Sequence, residues 1–185
     1  MGKYLLAGLF FTFFTTNAQV SLTIVDNLLK FGYKYPDTIR NPDVIIIHAS
    51  YCPSKKDSFN LECVLNLYKK YQVSAHYIID RDGIIYRLVK EEHISYHGGK
   101  GLLPDGGTKI NTRSIGIELI NTKVSDYTDL QYSALVNLVA DIKSRYQIKY
   151  VLGHKDIAPD RKTDPWNFDW IKFNTLMQGT STNSE

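Results

Sequence analysis

The stretch "DVIIIHAS", residues 43–50, decides how this chain folds. Residues 44–47 are four consecutive apolar β-branched side chains. A strand with one wet face alternates apolar and polar residues, whereas an unbroken run suits a central strand buried on both faces. The run ends at His48. Such a strand needs helices over it, and the flanking sequence supplies them. "NLECVLNLYKKY" (60–71) spaces Leu61, Val64, Leu65 and Tyr68 for one amphipathic helix. "AHYIIDRDGIIYRLV" (75–89) reads as a hairpin turning at Asp82-Gly83, with His76 a core histidine inside its first strand. "RSIGIELIN" (113–121) is a further strand, and Gly116 within it marks close approach by another backbone or a ligand.

The clearest helix is "YTDLQYSALVNLVADIKSRY" (127–146). Thr128 and Gln131 form a capping box, and the apolar stripe runs Leu130, Ala134, Leu135, Leu138, Val139, Ile142. "KYVLGH" (149–154) is a short buried strand closing on His154. Strands alternating with helices make the class α/β, with a mixed central β-sheet flanked by helices. Strand order is not legible.

The first eighteen residues, "MGKYLLAGLFFTFFTTNA", have the charged, apolar, small-residue order of a secretory signal. Thr16 and Ala18 stand at the -3 and -1 positions of a cleavage site. The apolar run is short of the about 20 residues that span a bilayer. The chain therefore divides into a signal peptide (1–18), an N-terminal segment (19–43), a catalytic domain (44–175) and a polar C-terminal tail (176–185). Export to the periplasm or the extracellular space is expected, with no integral membrane segment after cleavage; an uncleaved anchor is the lesser alternative. Cys52 and Cys63, eleven positions apart, read as a disulfide in that oxidising setting rather than as two free thiols. A net charge of +3 without a Lys/Arg run gives nucleic-acid binding no support. A monomer is expected.

Two predicted strands end in histidine, and the second enters "GHKDIAPDRKTDPW" (153–166), a loop crowded with groups that resist burial. Its prolines, Pro159 and Pro165, limit its freedom. His48, His154 and Asp164 make a ligand set suited to zinc, and three protein ligands leave a fourth position open, as in catalytic sites. On spacing alone the competing reading stands beside this one: hydrogen-bonded histidines at strand ends and a turn aspartate before proline. His93 with His97, four apart, is a second pair, but it precedes Gly98-Gly99 and reads as loop.

"VSAHYIIDRDG", "YHGG", "NTRSIGIEL", "YTDLQY" and "GHKDIAPDRKTDP" resemble, in order, the zinc-dependent N-acetylmuramoyl-L-alanine amidases of the AmpD-like type. These are relatives of the phage amidases and the peptidoglycan recognition proteins. The resemblance runs from about Val44 to Phe173. It implies one Zn2+ per chain, held by His48, His154 and Asp164 in a groove on one face of the sheet. The implied reaction is hydrolysis of the amide between N-acetylmuramic acid and L-alanine, in peptidoglycan or muropeptides. Glu118 matches the acidic residue that handles the attacking water, and Lys162 the lysine that steadies the oxyanion. His97 and Asn111 match groove positions, and Arg161 reads either as a contact for a stem-peptide carboxylate or as a structural pair within the loop.

There are departures. Ala75 stands where several phage-type relatives carry a tyrosine, which shifts catalysis toward Glu118. Trp166 replaces a common glycine at the groove edge. Cys52 and Cys63 are more widely spaced than the cysteine pair of the recognition proteins, and the signal segment sets the chain apart from cytoplasmic recycling enzymes. The alternative is a non-catalytic muropeptide recognition module. Against it, the full ligand set, Glu118 and Lys162 are all present. A structural zinc would leave the last two without a purpose.

Overall fold

The computed structural model describes residues 22–54 and 56–181. In chain order these form β1 (Ile24–Asp26), β2 (Tyr33–Lys34), β3 (Val44–Ser50), α1 (Leu61–Tyr71), β4 (Tyr77–Ile79), β5 (Ile85–Arg87) and β6 (Ile94–Ser95). There follow α2 (Ile110–Arg113), β7 (Ser114–Ile120), α3 (Asp129–Arg145), β8 (Tyr150–Gly153), α4 (His154–Ile157) and α5 (Trp170–Ser181). Six strands make one sheet in the order β1-β5-β4-β7-β3-β8, and β2 pairs with β6 separately. Every neighbouring pair in the large sheet is parallel except β4–β5, the expected hairpin. The sheet is mixed and flanked by helices, as the class reading requires.

The β-branched run lies inside the sheet, between β7 and the edge strand β8, and Val44 through Ile47 are fully buried. Side-chain alternation on β3 and β7 then divides the molecule. Ile45, Ile47 and Ala49, with Ile115, Ile117 and Leu119, face α3 and α5 and form the main core with Leu135, Leu138, Val139, Ile142 and Phe173. On the other face two smaller clusters sit apart. Val64 and Tyr68 of α1 pack on Ile78, Leu88 and Ile120. Val44 and Ile46 pack with Leu103, Ile110 and Ile157. Between these clusters β3 and β7 present His48, Ser50, Gly116 and Glu118, and a groove opens there.

Several expectations need adjusting. β3 continues past His48 to Ser50, because Asn121 N–H still finds the Ser50 carbonyl at 3.0 Å. β8 is an edge strand, so Tyr150, Val151 and Leu152 are only half buried. Leu130 falls outside the helical stripe and is 58% exposed, while the Thr128–Gln131 capping box is present. The segment before Val44 adds β1 to the sheet edge and β2 to the small sheet. At the other end α5 runs to Ser181, past the start of the polar tail, because Met177 still packs against the main core. Cys52 and Cys63 are joined, tying the chain after β3 to α1. Among the described residues no helix is long and apolar enough to cross a membrane. The signal segment 1–18 lies outside them.

Candidate metal centre

His48 and Glu118 come from β3 and β7, and His154 directly follows β8; the three strands are adjacent and parallel. They cluster toward the carboxyl ends, where open α/β sheets place their ligands. His48 and Glu118 are register partners, so their backbones lie about 4.8 Å apart. Asp156 Oδ2 accepts the Gly153 N–H at 2.7 Å and fixes the corner from β8 into α4, which begins with His154. Asp164 is folded back onto that corner. The Lys155 N–H donates to its carbonyl at 2.8 Å. Pro165 packs so closely on Gly153 that a Cβ there would stand 2.8 Å from the ring.

The three side chains converge. His48 Nδ1 and His154 Nδ1 are 3.0 Å apart, and Asp164 Oδ2 lies 3.3 and 3.1 Å from them. His154 Nε2 is 3.0 Å from the Gly98 carbonyl. A carbonyl only accepts, so that nitrogen carries the proton and Nδ1 is a bare lone pair. Lone pairs and a carboxylate oxygen pointed at one spot repel one another unless a cation lies among them. A tetrahedral zinc with bonds of about 2.0–2.2 Å sets its ligand atoms about 3.3 Å apart. The donor set fits zinc in both chemistry and spacing, and it is the cluster of metal-ligating side chains among the described residues.

The electrostatics agree. Burial pushes the His48 imidazole down to about 4, so it is neutral at pH 7. Burial pushes the Asp164 carboxyl up, but the His154 and His48 rings beside it outweigh that and hold the group well below the carboxylate range. Glu118 goes the other way: burial and then the charge of Asp164 push it up to about 8. A cation at the ligand set would draw it back down. Ser50 Oγ donates to Glu118 Oε2 at 2.8 Å, and the Tyr68 hydroxyl lies 2.9 Å from Ser50. Ser50 has one proton and spends it on the carboxylate, so Tyr68 donates to Ser50.

His48, Glu118, His154, Asp164 and Lys162 line one cavity of about 330 Å³, rimmed by Tyr71, Tyr96 and Trp166. Trp166 is held by its Nε1–H to Thr163 Oγ1 at 2.9 Å and by the edge of Tyr51. His97 also lines this cavity, with Nδ1 2.9 Å from His48 Nε2. Gly116 admits it: a Cβ there would lie 2.5 Å from His97 Cγ, so the close approach is by a side chain. His93 is elsewhere, stacked on Tyr33. Asn111 and Arg161 hold backbone. Asn111 Oδ1 accepts the Gly98 and Gly99 N–H groups at 2.8 and 3.3 Å. Arg161 donates to the carbonyls of Gly98 and Lys100.

Sequence reasoning missed three residues. Ser50 was within reach, since alternation puts it on the face of His48 two positions earlier. Tyr68 sits in the apolar stripe of α1 and looks like core, which it partly is. Arg40, buried, donates to the carbonyls of Glu91, His93, Thr112 and Ser114, and nothing periodic announces it.

The model of the N-acetylmuramoyl-L-alanine amidase family matches residues 38–167, which include every residue of this site. The chain belongs to that family. It is 41% identical over 114 residues to 1,6-anhydro-N-acetylmuramyl-L-alanine amidase AmpD of Escherichia coli (strain K12), covering 60% of this chain and 62% of that one. The match thus spans about three fifths of that relative's length. Among solved structures, a crystal structure of a selenomethionine AmpD derivative superposes with a TM-score of 0.73 at 31% identity, covering 83% of this chain and 93% of the other. The Escherichia coli amidase AmiD, solved with anhydro-N-acetylmuramic acid-L-Ala-D-γ-Glu-L-Lys as its substrate, superposes with a TM-score of 0.64 at 28% identity. That superposition covers 78% of this chain and 65% of AmiD.

Proposed function

We propose that the protein is a zinc hydrolase cleaving the amide between the lactyl group of N-acetylmuramic acid and the L-alanine of the stem peptide, in peptidoglycan or its fragments. One observation carries this reading. Two imidazole nitrogens and a carboxylate oxygen converge within 3.3 Å in a cavity that also holds the buried carboxyl of Glu118. The family match and the AmpD and AmiD relatives support the choice of bond.

Zinc held by His48, His154 and Asp164 supplies Lewis acidity, which brings the pKa of a water down to about 7. Glu118 takes the proton of the attacking water and passes it to the departing alanine nitrogen, so the amine leaves neutral. A carboxyl whose pKa lies near the working pH suits both duties. Ser50, backed by Tyr68, holds Oε2 of Glu118 in place. Lys162 brings a positive charge to the oxygen that becomes negative as water adds to the carbonyl.

The same reading includes export. The signal-like residues 1–18 and the Cys52–Cys63 disulfide suit the periplasm or the cell exterior, where peptidoglycan lies. The chain acts there as a monomer with one Zn2+.

Mass spectrometry of muropeptides incubated with the protein tests the activity. Free stem peptide is expected with metal and none after chelation, and Glu118→Gln slows release by about 10²–10⁴-fold. Muropeptides bound but left intact by the zinc-loaded chain would instead make it a recognition module.

A further inference from the structure

The loop of residues 96–99 meets both candidate imidazole ligands on the side away from the metal position. Gly98 offers its carbonyl to His154 Nε2 at 3.0 Å, and His97 offers Nδ1 to His48 Nε2 at 2.9 Å. We infer that His97 is a positioning residue: it holds His48 in the tautomer whose Nδ1 lone pair faces His154 and Asp164. This rests on the zinc reading of the site and gives "YHGG" a task that contact with substrate does not require.

The assignment follows from counting protons along one chain of contacts. Ser114 Oγ donates to the Ile110 carbonyl at 2.6 Å, which uses its only proton. Ser114 Oγ must then accept from His97 Nε2, 3.2 Å away, so the His97 proton is on Nε2. His97 Nδ1 is left bare and can only accept from His48 Nε2. His48 therefore carries its proton on Nε2 and turns a bare Nδ1 to the ligand set. The Ile110 carbonyl, three links away, thus dictates the tautomer of a ligand. Metal-bound histidines gain orientation and basicity in this way from the partner of their second nitrogen.

The surroundings hold the loop to this task. Gly116 leaves room for the His97 ring against β7, where any Cβ would collide with it. His76 stands edge-on to His97 at 5.7 Å between ring centres. Asn111 accepts the Gly98 N–H, and Arg161 donates to the Gly98 carbonyl that serves His154. The loop is pinned from both sides.

The test is a zinc titration of the full chain against a competing chelator. His97→Ala is expected to weaken zinc binding by about 10–100-fold. His97→Gln, whose amide oxygen can accept from His48 and whose NH₂ can donate to Ser114, is expected to recover most of it. Long-range ¹H–¹⁵N NMR of the zinc-free wild type should find the His48 proton on Nε2. Wild-type zinc affinity in a folded His97→Ala chain would overturn the inference. So would a His48 proton on Nδ1, and that measurement decides the matter if His97→Ala does not fold. A chain that binds zinc in this His97-dependent way but cuts no muropeptide would lose the proposed activity and keep this role. Equal zinc affinity of variant and wild type, with cleavage intact, would do the reverse.

Discussion

Ile117 and Glu118 are consecutive on β7, and both are buried, yet they serve opposite faces of one sheet. Ile117 is fully enclosed in the core closed by α3 and α5. Glu118 stands in the gap between two smaller clusters, its carboxyl held by Ser50 and its pKa pushed up to about 8 by burial. The same comparison holds one strand over, between Ile47 and His48. A period of two lets a single strand put stability on one side and chemistry on the other. Substitutions on the two faces should therefore separate cleanly in what they damage.

The widest separation is expected within β7 itself. Glu118→Gln should cut the rate by about 10²–10⁴-fold while the thermal midpoint hardly moves. Ile117→Ala should cost about 2–5 kcal/mol in denaturant unfolding while activity per folded molecule is kept. If Ile117→Ala destroyed activity in folded protein, or Glu118→Gln unfolded the chain, the division between faces would fail. Next in size is Lys162→Ala on the groove side, expected to lower kcat by about 10²–10³-fold with KM less affected. An effect confined to KM would make Lys162 a substrate contact rather than a partner of the oxyanion.

The smallest effect concerns the base of the same strands. Asp43, the residue before β3, meets Arg113, the last residue of α2 and the one before β7, through Nε at 2.9 Å and Nη2 at 2.7 Å. Arg113 holds the Asp43 carboxyl below its ordinary value. A lowered folded-state pKa contributes stability that is present above the ordinary carboxylate pKa and is lost as pH falls through the lowered one. Asp43→Asn should cost no more than about 1 kcal/mol at pH 7, because the pair is partly exposed. That cost should shrink toward zero in acid. A pH-independent difference would mean that shape rather than charge joins the strand starts.

What was legible in the sequence follows the same division. β3, β7, the β4–β5 hairpin, α1 and α3 each carry a periodic apolar pattern or a turn signal, and each is present. β1, β2 and β6 are two or three residues long, too short for any period to register. The placing of β8 at an edge depends on pairing, which one chain of letters does not display. At the site, His48 and His154 are 106 residues apart, so local spacing could nominate each but not join them. The family resemblance joined them. Ser50 followed from alternation and was overlooked. The duties of His97, Asn111 and Arg161 depend on where one glycine loop lies, and no pattern in the sequence places that loop.

If His48, His154 and Asp164 hold one zinc, amide cleavage should depend on that single metal. The most direct test strips the protein with chelator, returns zinc in small increments and follows stem-peptide release from muropeptides. Activity is expected to rise in proportion to zinc and level off at one equivalent per chain, with no recovery in His154→Ala. Release that persists in the stripped protein, or that His154→Ala recovers as fully as wild type, would contradict this dependence.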